Sequence, residues 1–173
     1  MSEFQAKRNV ITLCDNWYVK STITTLADEY ENLDLIGNSR VDTAIYDLPP
    51  APSRKRGRPV KRGRRLSIMD DFTLFEQKIG GCYIGVRTVL TNIFGGRKVF
   101  AYVTSVEKDS GSRRLFFSTI FPMELQIFGA WQEKAPLNQT GSHWMKYTPM
   151  FLYSFRWKID VSYYEQKEFW SLC

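Results

Sequence analysis

Apolar and polar positions change rhythm along this chain, and the changes mark out its elements. Residues 9–14 (Asn9 to Cys14) barely alternate and are rich in β-branched and apolar side chains, which predicts a buried strand ending at Asp15. Residues 17–31 read as a helix, although Thr22, Thr24 and Thr25 are weak helix formers. Leu33 to Gly37 predicts a second strand. Further strands are predicted at 82–94, 97–106 and 113–120, separated by Gly95-Gly96 and by Asp109-Ser110-Gly111, both good hairpin signals. Residues 122–134 then read as helical, 135–147 as a loop and 149–170 as a long helix. No internal repeat is evident.

The last helix carries the densest candidate chemistry. Thr148-Pro149 supplies an oxygen-bearing cap followed by proline in the first turn. Leu152, Phe155, Ile159, Tyr163 and Trp170 form an apolar face, while Ser154, Lys158, Ser162 and Glu165 form a solvent-like one. Tyr153, Arg156, Asp160 and Lys167 follow at spacings of three, four and seven. At about 100° per residue they fall within an arc of roughly 60°, beside the apolar face. Two readings stay open on spacing alone. The four make ordinary helix pairs, such as Arg156 with Asp160. Or they hold a metal ion against a phosphodiester, the acid ligating the metal while the cations meet phosphate oxygens.

Charge adds a second candidate. The formal net charge is +6, yet eight basic residues (Arg54, Lys55, Arg56, Arg58, Lys61, Arg62, Arg64 and Arg65) fall in twelve positions without an acid. The rest of the chain is therefore mildly acidic. Pro49, Pro50, Pro52 and Pro59 with two glycines predict that 48–65 is an extended, disordered loop. Its natural partner is a phosphate backbone, bound with strong salt dependence. Arg56-Gly57-Arg58-Pro59 also resembles the core of the AT-hook, which lies in the minor groove of A·T-rich DNA. The alternative is a solvated basic linker without groove preference. Asp70-Asp71, just beyond, reads as a local charge partner or a helix start.

Composition narrows the class. The 173 residues, 43% hydrophobic and 15% aromatic, suffice for one modest core. No apolar stretch reaches the roughly 18 residues of a membrane span, and the N-terminus has no signal-peptide apolar region, so a cytoplasmic protein without a membrane partner is expected. Cys14, Cys82 and Cys173 suit reduced thiols. His143, the only histidine, argues against multi-histidine metal sites and reads as a loop residue.

The pattern Tyr153-x2-Arg156-x3-Asp160-x6-Lys167 resembles the YREK signature of bacterial insertion-sequence DDE transposases. Val10 to Tyr18 resembles the strand that ends in that family's second aspartate, and the Arg56–Pro59 segment sits where such sequences often carry a basic stretch. The resemblance implies an α/β (α+β) fold, a partial RNase H-like core interrupted by a β-rich insertion. It divides the chain into 1–38 (strand, Asp15, helix, strand), an insertion at 39–145 and the signature helix at 146–173.

The resemblance also implies a mechanism. The family cuts and joins DNA at element ends with two divalent ions, Mg²⁺ or Mn²⁺, held by three carboxylates. Carried over by residue, Asp15 is the second metal ligand and Asp160 the third. Tyr153, Arg156 and Lys167 meet phosphates of double-stranded DNA near the cut end. The first aspartate has no counterpart, because only fourteen residues precede Asp15. Asp160 stands where the family has glutamate, which retracts the carboxylate by about 1.5 Å. The expectation is therefore a truncated or decayed transposase, cytoplasmic and nucleoid-associated, with impaired catalysis and with other transposase fragments or a second copy as possible partners. The alternative is a non-catalytic DNA-binding protein that acts through Arg54–Arg65.

Overall fold

The computed structural model describes residues 10–16, 18–51, 58–76, 78, 81–109, 111–120 and 149–156. The chain divides into two compact units, 1–121 and 122–173. The first is a mixed α+β unit built on one six-stranded sheet. Its strands are β1 (Val10–Cys14), β2 (Leu33–Ser39), β3 (Ile45–Tyr46), β4 (Tyr83–Thr91), β5 (Lys98–Ser105) and β6 (Arg114–Ser118), with helix α1 (Ser21–Glu29) between β1 and β2. They lie in the order β1-β2-β6-β5-β4-β3. In the second unit residues 149–156 are helical, as the Thr148-Pro149 signal predicts; 122–148 and 157–173 lie outside the described residues.

Two kinds of pairing meet in this sheet. β1 and β2 are parallel, with Val10 opposite Leu33 and Cys14 opposite Gly37, and α1 makes the crossover that parallel neighbours require. From β2 onward every pair is antiparallel: Gly37 faces Phe117, Ala101 faces Phe117 from the other side, and Val89 faces Val99. No seam falls at the expected boundary between residues 38 and 39. β2 spans that point and hydrogen-bonds β6, so the predicted insertion strands continue the sheet that β1 and β2 begin.

The core follows from the pleat. Leu35, Val89, Val99, Ala101, Val103, Leu115 and Phe117 share one face and are at most 1% exposed. Val19 and Ile23 pack on that face from the α1 side, and Leu66, Phe72 and Leu74 from the stretch after the basic segment. The other face carries Ile36, Ile84, Leu90, Tyr102 and Phe116, which are buried as well. Burial on both faces is why these strands show little clean alternation in sequence.

Local chemistry sets where the elements end. The helix predicted from residue 17 begins at Ser21, because the Asp15 carbonyl accepts the amides of Tyr18 (2.9 Å) and Val19 (3.2 Å) and closes a turn first. Thr24 is buried and donates to the Ile93 carbonyl at 2.6 Å, joining α1 to the 3-10 turn Asn92–Phe94. Arg97 donates to the Ala27 carbonyl and pairs with Asp28, placing a cation at the helix C-terminus. The predicted strand 82–94 stops at Thr91, since that turn intervenes and tucks Phe94 edge-on against Phe117, 5.7 Å between ring centroids. Gly95 and Gly96 at φ +60° and +80° then reverse the chain into β5.

Candidate nucleic-acid interface

Residues 58–65 depart from the predicted disordered loop. Leu66 N donates to Ile45 O (2.9 Å), Asp47 N to Arg64 O (2.9 Å) and Gly63 N to Asp47 O (2.8 Å), with Tyr46 bridged to Arg65. The end of the basic segment is thus an edge ribbon on β3, with a bulge where Gly63 and Arg64 both oppose Asp47. Gly63 is required there: a Cβ would stand 2.6 Å from the Leu48 carbonyl oxygen and 2.9 Å from the Asp47 Cβ.

Charge pairs fasten the ribbon. Arg64 reaches both carboxylate oxygens of Asp71, one at 3.0 Å, in the fork geometry that suits guanidinium and carboxylate. Asp71 also accepts the Ser67 amide at 2.7 Å. The Arg64 guanidinium first, and then that amide, hold the Asp71 carboxyl below the usual carboxylate range, while Arg64 itself is held above its already high value by Asp71. Of the alternatives for Asp70-Asp71, the structure shows the local charge partner. From β4, Arg87 donates to Asp47 Oδ2 at 2.7 Å and to the Asp71 carbonyl at 3.1 Å, so one side chain ties both partners of Arg64 to the sheet.

The other cations face outward. Arg58, Lys61, Arg62 and Arg65 are exposed. Arg62 stacks 4.0 Å from the Tyr46 ring centroid and donates to Asn92 Oδ1 at 3.1 Å. Lys61 and Arg62 form one wall of a groove of about 550 Å³, whose other linings include Tyr46, Asn92, Gly95 and Gly96. Arg54, Lys55 and Arg56 lie outside the described residues, as does Gly57 of the AT-hook-like stretch.

The residues expected at a catalytic centre are only partly described. Asp15 is half-buried at the C-terminal end of β1, where its Oδ1 accepts the Asn16 amide at 2.7 Å. Beside it, burial pushes the Cys14 thiol up and keeps it protonated. Tyr153 and Arg156 share the helix over 149–156, with the guanidinium 5.7 Å from the ring centroid, so the i, i+3 spacing brings these two together. Asp160 and Lys167 lie outside the described residues. Among the described residues no group of three or more His, Cys, Asp or Glu is placed to hold a metal ion.

Sequence reasoning found the cations and the local acid Asp71 but missed the pair Asp47–Arg87. Asp47 and Arg87 are forty residues apart, and the one signal for the ribbon was Gly63 amid arginines. Among the described residues no helix is long and apolar enough to cross a membrane. No protein-family model matches the chain, and no curated protein matches it.

Proposed function

We propose that this protein binds double-stranded DNA through the ribbon at 58–65 and descends from the DDE transposases without cutting DNA itself. The observation that carries the reading is the ribbon's mounting. Cations on a mobile loop lose conformational freedom when they meet phosphate, whereas Lys61 and Arg62 directly precede the hydrogen-bonded edge that begins at Gly63, and the Arg62 side chain is held against Tyr46 and Asn92. The descent rests on the resemblance, supported by a parallel strand pair with Asp15 at the carboxyl end of β1, where open α/β sheets place ligands. A cytoplasmic, nucleoid-associated location and association with other transposase fragments or a second copy belong to the same reading.

The test is gel-shift binding to a labelled duplex across a salt series, with Mg²⁺ or Mn²⁺ added in parallel lanes. Wild type, Asp15→Asn and Asp160→Asn are compared. The expected result is binding that weakens steeply with salt and no metal-dependent nicking by any variant. Nicking by the wild type that disappears in both variants would show an active transposase. Binding indifferent to salt would remove the DNA-binding reading.

A further inference from the structure

The eight cations of the basic segment carry equal formal charge, but the structure gives those it describes different surroundings. Arg64 is paired through both carboxylate oxygens of Asp71, and its carbonyl accepts the amide of Asp47, the acid that Arg87 holds. The charge of a guanidinium so engaged is already offset by its carboxylate, so a phosphate gains less from it. Arg62 is held differently. Its contacts are an aromatic face and one neutral amide oxygen, which orient the group without neutralising it, and one bond to Asn92 uses one of its five donors. Lys61 stands beside it, exposed, on the same groove.

The same groove is lined by a glycine turn. Gly95 and Gly96 adopt left-handed conformations, and a Cβ at either position would meet no atom within 4 Å. Two consecutive positions without side chains keep the groove open to a group that approaches the main chain closely. Two cations, an orienting aromatic ring, an amide side chain and an open glycine turn together suit a phosphodiester.

We infer that the groove between Lys61-Arg62 and the Gly95-Gly96 turn seats one backbone phosphate of bound DNA, and that Arg64 is a positioning residue that holds the ribbon through Asp71. This rests on the DNA-binding reading above and assigns its contacts. Lys61 and Arg62 neutralise the phosphate. Arg64 contributes no counterion release and acts by keeping Lys61 and Arg62 in place.

The experiment is the salt dependence of duplex binding by the full chain, measured by fluorescence anisotropy, for wild type and variants whose folding is checked by thermal melting. Loss of one neutralised phosphate lowers the magnitude of the slope of log K against log salt by about one. The pair Lys61→Gln with Arg62→Gln is expected to do that with little change in melting temperature. Arg64→Gln is expected to keep the wild-type slope while weakening binding several-fold at every salt concentration, and Arg64→Lys, which keeps an ion pair with Asp71, to recover most of the loss. Gly96→Asn, which tolerates the left-handed conformation but adds a side chain to the groove, is expected to weaken binding like the double variant.

An unchanged slope in the Lys61/Arg62 double variant would overturn the groove. A slope reduced in Arg64→Gln as much as in the double variant would overturn the division of roles. A wild type that shows no salt-dependent binding would overturn the underlying reading, and this inference with it.

Discussion

The two ends of the sheet are built on different terms. At one end β1 is an edge strand whose described partner is β2 alone, and four of its five residues are only half-buried. Toward the other, β5 lies between β4 and β6, and Val99, Ala101, Tyr102 and Val103 are at most 1% exposed. Asp15 belongs to the first end and the basic ribbon to the second, whose antiparallel neighbours sit on a fully packed floor. A surface that must hold cations in fixed places is better mounted on the second. On the proposed DNA-binding reading, a rigid base under the ribbon would add no ordering cost on binding.

The largest effects should expose that difference directly. Phe117 is fully buried at the centre of the sheet and meets Phe94 edge-on, so Phe117→Ala is expected to cost about 3–5 kcal/mol. Ile11→Ala on half-buried β1 should cost about 1–2 kcal/mol, because part of that side chain is already in water. Urea unfolding with a shared m-value measures both. Equal losses would mean that β1 is as deeply held as the centre, and the contrast would fall.

Two glycines sharpen the same contrast at smaller cost. At Gly37 an added Cβ would run into the Val19 Cγ2 methyl, while at Gly63 it would stand 2.6 Å from a backbone oxygen. The Val19 methyl can leave by rotation about its side-chain bond, whereas a carbonyl fixed in a bulge yields only if the ribbon moves. Gly63→Ala should therefore cost about 1–3 kcal/mol and Gly37→Ala less. Gly63→Ala should also weaken DNA binding, and Gly37→Ala should leave it alone. If the order is reversed, the ribbon is less firmly seated than its hydrogen bonds imply.

Legibility in the sequence follows the range of the interactions. β4, β5 and β6 were readable because each hairpin is local and its turn is written in Gly95-Gly96 or in Asp109 and Gly111. β1 and β2 were readable from their β-branched and apolar runs. β3 was missed: Ile45-Tyr46 is too short to show a period, and it exists because Leu90 and Thr91 lie beside it. The ribbon was misread for a related reason. Arginine and proline composition predicts solvation, and only Asp71, seven residues from Arg64, is a partner within a local window; Asp47 joins Arg87 from forty residues away. Of the candidate site, the cations were legible and their division into fasteners and outward-facing groups was not.

A pH series tests the fastening by itself. The Asp71 carboxyl lies below the usual carboxylate range in the folded chain, so folding favours its charged form. The stability it contributes is present above the unfolded carboxyl value, about 4, and is lost as pH falls through the lower folded value. Wild type should be more stable than Asp71→Asn at pH 7, with the gap closing below about pH 4. An unchanging gap would mean that the Arg64 pair contributes nothing measurable, as many exposed pairs do.

The smallest expected effect is at Asp15, where it is also the most useful. Its Oδ1 accepts the Asn16 amide, and the amide oxygen of an asparagine at position 15 can accept the same bond. The turn that follows is closed by the main-chain carbonyl, which the substitution leaves alone. Asp15→Asn should therefore shift stability by no more than about 0.5 kcal/mol, within the range of ordinary surface changes. A near-neutral substitution cleanly removes the charge that a metal ion would need. If the variant folds and binds DNA like the wild type, then nicking present in one and absent in the other reports chemistry at Asp15. If neither nicks, Asp15 serves the strand end and the ribbon carries the function.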